Sequence, residues 1–216
     1  ILIYNYPDEK MKDLEQEVKD LGFMLSNSSN LEYYLGIKVE FEGEKVKLSQ
    51  REYLEAILHR FGLANSKAAK SPMNNADIPS KTDCPNLETE LGKAERERLK
   101  SFKYRNAIGS LQHAARWTRP DIKFAVGYLA RYQENFGEKH IKAVKRVFRY
   151  LKGTIDKGIT FGGTNTPLVM YVDADFAMDP DQRKSTTGWV SLFFGGPGTS
   201  KSKLQPILAD STTVAE

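Results

Sequence analysis

The sequence predicts a mixed α/β (α+β) chain, with a β-hairpin first, helices in the middle and a second β-rich segment after them. Three observations carry this prediction. Apolar and polar residues alternate over 35–48, apolar residues recur at helical spacing between 51 and 151, and β-prone text follows Gly153. Side chains on a strand repeat every second residue, whereas those on a helix repeat about every 3.6 residues.

The first stretch of the chain, 1–4, is apolar and β-prone, and we expect it to be a buried strand. A helix is predicted from about Pro7, with one apolar face formed by Met11, Leu14, Val18 and Leu21. Because the chain opens inside an apparent strand and without an initiator Met, we expect it to be cut from a longer protein.

A β-hairpin is predicted next. Leu35, Ile37, Val39 and Phe41 alternate with polar residues, and 42–44 reads as a turn into a second strand at 45–48. Ser49 and Glu52 then have the spacing of a capping box, which predicts the start of a helix that ends at Gly62. The apolar stripe of this helix comprises Leu54, Ile57, Leu58 and Phe61.

The middle of the chain reads as a linker followed by helices. Residues 65–86 are rich in Ser, Asn, Pro and Lys without periodicity, which predicts a linker. Helical text covers 87–117, and Pro120 with Asp121 begins another helix with Ile122, Ala125, Val126 and Leu129 on one face. A further helix at 138–151 places Ile141, Val144, Val147, Phe148 and Leu151 on one side.

The last part of the chain predicts strands at 168–176, 188–194 and 203–208. Ser211, Thr212 and Thr213 are typical of a helix N-cap.

The composition limits the kinds of partner. Hydrophobic residues make up 40% and charged residues 28%, as in a folded protein, and the net charge of +4 slightly favours an anionic partner such as nucleic acid. Cys84 is the only cysteine, which excludes an intrachain disulfide and a Cys-based zinc site and suits an intracellular protein. No apolar run approaches the roughly 18 residues of a membrane span, so no membrane partner is expected.

Two carboxylates stand out on the predicted strand YVDADFA. Asp173 and Asp175 are two residues apart and should share a face of that strand. One interpretation is a Mg²⁺ site of the two-metal type, because hard oxygen ligands hold ions that activate water at a phosphodiester. The other is that both are solvent-facing or turn-forming residues, like the nearby Asp179 and Asp181.

A basic stripe lies on the predicted 138–152 helix, opposite its apolar face. It could follow the phosphates of a nucleic acid, or it could be the solvated face of an amphipathic helix. The stripe comprises Lys142, Lys145, Arg146, Arg149 and Lys152. The three histidines, His59, His113 and His140, lack metal-site spacing and are interpreted as core or surface residues.

Taken together, strings along the chain resemble the Pol polyprotein of copia-type LTR retrotransposons. YYLGIKVEF at 33–41, KLSQREYLEAILHRFGL at 47–63 and SPM at 71–73 resemble the end of its reverse transcriptase. TRPDIKFAVGYLARY at 118–132 and EKHIKAVKRVFRYLKGT at 138–154 resemble the segment that follows. YVDADFAMDPDQRKSTTGWV at 171–190 and DSTTVAE at 210–216 resemble the opening of its RNase H domain.

The resemblance implies three regions. Residues 1–78 would be the C-terminal part of the reverse transcriptase, with palm and thumb elements, 79–160 a helical connection segment, and 161–216 a truncated RNase H-like domain with a mixed sheet. The polymerase Asp pair of the family would lie just before residue 1. A rival alignment sets Tyr4 to Pro7 over that motif, which would make the pair mutated.

The resemblance also implies site residues and partners. Asp173 matches the first metal-binding aspartate of the family's RNase H and Glu216 its second carboxylate, with Asp175 a weaker candidate and Mg²⁺ the cofactor. The partners would be an RNA:DNA hybrid and the rest of Pol, in the cytoplasm and, for an active element, in a virus-like particle. The alternative is a non-catalytic nucleic-acid-binding or protein-interaction remnant of a decayed element.

Overall fold

A computed structural model of the chain describes residues 13, 16, 17, 19–22, 32–74, 76–162 and 167–216. It divides into two compact units, Ile1–Glu32 and Tyr33–Glu216. In the first unit residues 13, 16, 17, 19 and 20 are helical, as predicted. The predicted strand at 1–4, the helix start at Pro7 and the stripe residues Met11, Leu14 and Val18 lie outside the described residues. No described helix is long and apolar enough to cross a membrane.

The second unit begins with an antiparallel sheet of order β1-β2-β3-β4. Its strands are β1 (Tyr33–Tyr34), β2 (Ile37–Glu42), β3 (Lys45–Ser49) and β4 (Ile159–Gly162). The predicted hairpin is confirmed, since β2 pairs with β3 across a turn in which Gly43 has a φ of 60°. The prediction that Leu35 belongs to the strand is wrong. Leu35 and Gly36 adopt positive φ in a tight turn between β1 and β2, and Leu35 is 60% exposed.

Strand β4 was not predicted. It pairs with β3, with Leu48 opposite Ile159. In chain order, every helix of the central segment therefore lies between two strands that are neighbours in one sheet. Gly162 has a φ of +97°, and a Cβ there would stand 2.1 Å from the carbonyl oxygen of Glu44. The end of β4 therefore requires glycine, because any side chain would collide with the β2-β3 turn.

The helices pack into one apolar core. They are α1 (Arg51–Arg60), α2 (Glu90–Leu99), α3 (Tyr104–Trp117), α4 (Lys123–Ala130) and α5 (Glu138–Gly153), with 3-10 turns at Lys81–Asp83 and Pro120–Ile122. Nearly all of the residues predicted for the three apolar stripes are buried in this core, and Phe61 packs half-buried against it. The helical periodicity of these three stripes is thus confirmed.

Two local predictions about the helices are wrong. The N-cap of α1 is Gln50, which makes no side-chain cap bond, whereas Ser49 is the buried last residue of β3. A capping box is therefore absent at α1, because Ser49 is part of β3 and pairs with Lys38 of β2. The stretch 87–117 is also not one helix, since α2 ends at Leu99 and a turn at 100–103 precedes α3. In this turn the Phe102 ring packs against the rings of Phe61 and Tyr104.

The predicted linker at 65–86 is irregular apart from one 3-10 turn, as expected, but it packs on the helices. Met73 is buried, and the Ala69 N–H donates to the carbonyl oxygen of Arg149 on α5 at 3.1 Å. The described residues of 65–86 therefore pack on α5 and cover it, and this stretch is called the covering segment.

A second sheet follows, with antiparallel order β5-β6-β7. Its strands are β5 (Val169–Ala174), β6 (Thr186–Phe193) and β7 (Gly196–Leu204). The first two were predicted, whereas β7 begins well before the predicted segment at 203–208. The described strands pair only antiparallel and so do not form the mixed sheet that was predicted. The predicted N-cap is confirmed, because the Ser211 hydroxyl accepts the Val214 N–H at 3.2 Å to begin α6 (Thr212–Ala215).

Candidate functional site

A cavity of about 620 Å³ lies between the second sheet and the start of α4. Asp173 and Asp175 both line it from the sheet side, and Lys123 and Phe124 line it from α4. The volume falls in the range of ordinary ligand sites, roughly 300–1,000 Å³. The two carboxylates singled out in the sequence therefore face one common space.

The two aspartates have different environments. Asp175 lies just beyond β5, where its carboxylate accepts the Thr186 N–H at 2.7 Å and its own N–H donates to the Thr186 carbonyl at 3.1 Å. Asp175 thus closes the β5-β6 ladder. Asp173 is an exposed residue of β5, and no described residue donates a hydrogen bond to its carboxylate. Of the pair, Asp173 is the one whose oxygens are free for a cation.

Lys123 fixes the opposite wall of the cavity. Its Nζ donates to both the carbonyl and the hydroxyl oxygen of Ser200 on β7, each at 2.7 Å. Burial, and to a lesser extent the nearby Arg116, lowers the pKa of the Lys123 ammonium. The sequence reasoning missed this residue, because nothing local marks a lysine that pairs with a strand so far along the chain.

Glu216 is exposed immediately after α6. The Gln205 amide donates to the Ala215 carbonyl at 2.6 Å and to the Thr187 hydroxyl at 2.8 Å, and Thr187 is the β6 partner of Ala174. The segment that carries Glu216 is therefore tied to the sheet beside the end of β5 where Asp173 lies.

A complete metal site is not formed. Among the described residues no group of three or more His, Cys, Asp or Glu side chains could hold a metal ion. Carboxylate oxygens suit Mg²⁺, but that ion demands near-ideal octahedral geometry. Asp173 and Glu216 alone supply too few ligands.

A third carboxylate, that of Asp121, also lines the cavity, but it forms an ion pair with Arg119. The buried Arg119 guanidinium donates to both Asp121 oxygens, at 3.0 and 2.8 Å, and to the Thr154 carbonyl at 3.0 Å, while the Tyr150 hydroxyl donates to Asp121 at 2.7 Å. Burial raises the pKa of the Asp121 carboxyl, but the Arg119 contacts outweigh it and hold that pKa below its usual range. Asp121 therefore joins the start of α4 to the end of α5 as an anion.

The loop after β5 is fastened to the end of α4. Asp179 accepts the N–H groups of Asp181 and Gln182, each at 2.9 Å, which agrees with the prediction that it forms a turn. The sequence reasoning missed the partners of the pair. Arg131 forms an ion pair with the buried Asp179, and the Tyr132 hydroxyl donates to Asp181 at 2.6 Å. This network fixes the second sheet against the helices.

The basic stripe is confirmed as a face of α5, but its members divide into two sets. Lys142 and Lys145 are exposed. The other three bind the irregular segment: Arg146 donates to the Ser71 hydroxyl at 3.0 Å, Arg149 to the Lys67 carbonyl at 2.6 Å and Lys152 to the Ser66 carbonyl at 2.6 Å. Part of the stripe thus holds the covering segment in place.

The three histidines lie in the core or at the surface, as predicted. His59 is exposed, and the His113 ring lies 3.2 Å from the Gln50 amide. His140 is buried, its Nδ1 accepts the Gly137 N–H at 3.2 Å, and burial lowers the pKa of its imidazole to about 4. None of the three faces the large cavity.

Comparison with known proteins places this arrangement in a family. Over 202 residues, 93% of the chain, it is 41% identical to the retrovirus-related Pol polyprotein from transposon TNT 1-94 of Nicotiana tabacum. Over 195 residues, 90% of the chain, it is 35% identical to the corresponding polyprotein from transposon RE1 of Arabidopsis thaliana. The chain belongs to the copia-type Pol family. It spans 14% and 12% of the lengths of these two relatives.

A third, shorter relative of this Pol chain is the secreted RxLR effector protein 161 of Plasmopara viticola. It is 38% identical over 119 residues, which make up 55% of the chain and 84% of that protein. No family model and no solved structure matches the chain. The homology that places it in the copia-type Pol family therefore rests on sequence.

Proposed function

We propose that this Pol chain joins the end of a reverse transcriptase to the start of an RNase H domain. In the intact protein these domains would carry out RNA-directed DNA polymerisation and hydrolysis of the RNA in an RNA:DNA hybrid. The first sheet and α1 would be palm and thumb elements, α2 to α5 the connection, and the second sheet the beginning of RNase H. This chain itself would contribute nucleic-acid-binding surface, in the cytoplasm and, for an active element, within a virus-like particle.

The observation that carries the proposal is the position of Asp173. Its carboxylate, free of hydrogen bonds from the described residues, lines a cavity large enough for a ligand, and the opposite wall comes from the connection helix α4. Mg²⁺ at such carboxylates would activate a water molecule and stabilise the departing oxygen of a phosphodiester. Asp173 and Glu216 would hold the ion, with Asp175 retained by the β5-β6 ladder.

Because Asp173 and Glu216 are too few ligands, we expect the 216-residue chain to bind Mg²⁺ weakly and to cleave no hybrid. In a longer Pol protein that continues past Glu216, Asp173→Asn should abolish Mg²⁺-dependent cleavage of a labelled hybrid. Asp175→Asn is the matched control and should retain cleavage at reduced stability. Undiminished cleavage by the Asp173→Asn protein would refute the assignment.

A second candidate function is a non-catalytic nucleic-acid-binding or protein-interaction remnant of a decayed element. The shorter relative favours it, since 84% of that protein's length matches this region alone. Sequencing the reading frame on both sides of the chain separates the two. An upstream YVDD motif and downstream acidic residues support the enzyme, whereas stop codons on both sides support the remnant.

A further inference from the structure

A second, smaller cavity, of about 200 Å³, lies where the end of α2, the turn at 100–103 and the start of α3 meet. Four cationic side chains line it, Arg96, Lys100, Lys103 and Arg105, and no acidic residue does. Lys145 of α5 lies nearby, with Nζ 5.6 Å from the centre of the Phe102 ring, which lines the cavity. These five cations are called the basic pocket below.

The charges of the basic pocket are poorly neutralised. Lys100 pairs with Glu97, but in the described part of the chain no carboxylate lies within ion-pair distance of the other four cations. Arg96 and Arg105 donate only to the backbone carbonyls of Glu134 and Gln133, which carry no charge. Like charges held around one cavity repel each other, so an anion entering it would be stabilised.

The size and chemistry of the basic pocket select the kind of anion. Its volume is below the roughly 300–1,000 Å³ of small-molecule sites, which favours one group of a larger ligand over a whole metabolite. Guanidinium and ammonium groups are the usual donors to phosphate oxygens. The Arg96 guanidinium lies 4.7 Å over the Phe136 ring, so its plane is held in a fixed orientation at the cavity wall.

We infer that the basic pocket binds a backbone phosphate of nucleic acid, with an RNA:DNA hybrid as the duplex. The inference rests on the proposed function for the identity of that ligand. It also reassigns the nucleic-acid contact predicted for α5. Lys145 takes part through the basic pocket, whereas Arg146, Arg149 and Lys152 hold the covering segment.

The test uses the 216-residue chain and a fluorescently labelled RNA:DNA hybrid, with affinity measured from about 50 to about 200 mM salt. The variant is K103Q/R105Q/K145Q, in which all three changed residues are exposed, so the fold should persist. The slope of log K against log salt changes by about 1 for each phosphate that is neutralised, so loss of the one phosphate in the basic pocket should lower the slope by about 1 and the affinity with it. The matched control is K45Q/K70Q/K157Q, which removes three exposed lysines that do not line the cavity and should leave the slope unchanged.

The outcomes separate the inference from the proposed function. If the unaltered chain binds no hybrid, the proposed function is overturned, and the inference falls with it. If the unaltered chain binds but the pocket variant keeps the slope of the control, only the inference is overturned. Inorganic phosphate is added at a concentration equal to that of the hybrid phosphates. If inorganic phosphate at that concentration displaces the hybrid from the chain, the basic pocket is a site for free phosphate, and the inference is also overturned.

Discussion

The buried Arg119 offers a direct test of how the connection is held together. Arg119→Ala removes two hydrogen bonds to Asp121 and those to the Thr154 carbonyl and hydroxyl. Breaking a buried ion pair costs about 3–5 kcal/mol, because the remaining charge loses its partner. The Asp121 side chain is 34% exposed and keeps the Tyr150 hydroxyl, which places the expected loss at the lower end, about 3 kcal/mol.

The assay is urea unfolding near neutral pH, followed by circular dichroism and by tryptophan fluorescence, because Trp117 ends α3 just before this network. Arg60→Ala is the control. Arg60 is an exposed arginine of α1, and its replacement should change the unfolding free energy by less than about 0.5 kcal/mol. A double variant with Asp121→Asn should lose less than the sum of the two single changes. A loss below about 1 kcal/mol for Arg119→Ala would refute the reasoning, since the pair would then contribute little.

Two further predictions concern pH and glycine. Because the folded pKa of His140 is about 4 and the unfolded value is about 6.5, the unfolded chain takes up the proton first as pH falls. The unfolding free energy is therefore at its full value above about pH 6.5. By pH 5, protonation of this histidine in the unfolded chain has lowered the unfolding free energy by about 2 kcal/mol. In urea unfolding at both pH values, His140→Gln should remove this loss and the exposed His59→Gln should retain it. In thermal unfolding, Gly137→Ala should be destabilising, because its Cβ would lie 1.8 Å from the Asp83 carbonyl oxygen, whereas Gly109→Ala on α3 meets open space and should stabilise by about 1 kcal/mol. Equal effects of the two histidine variants, or of the two glycine variants, would contradict these accounts.

The helices and the first hairpin could be predicted from sequence because their burial has a local period. A residue such as Val144 is buried for the same reason as its neighbours one turn away, and that repetition is visible in the sequence. Strand β4 has no such signal. It is four residues long, and what makes it a strand is the free edge of β3, far earlier in the chain.

The candidate site shows the same division. Asp173 could be singled out because a carboxylate at a strand centre requires water, a cation or donors, and because the family resemblance matches it to a metal-binding aspartate. The sequence could not predict that Asp175 is hydrogen-bonded while Asp173 is free, because this difference depends on a hydrogen bond from Thr186 on another strand. The contacts of Arg149 could not be predicted either, since the carbonyl it binds belongs to Lys67 in text without periodicity.

The pairing of β3 with β4 has a consequence for how the protein reaches its fold. Leu48 and Ile159 meet only after the whole helical segment has been brought into place, so this ladder closes a very long loop. The entropy of closure grows slowly, by about 0.6 kcal/mol per doubling of loop length, but contacts this distant in sequence slow the search for the native state. We expect the helices to assemble first and their packing to deliver β4 to the edge of β3, so that completion of the first sheet is a late kinetic step.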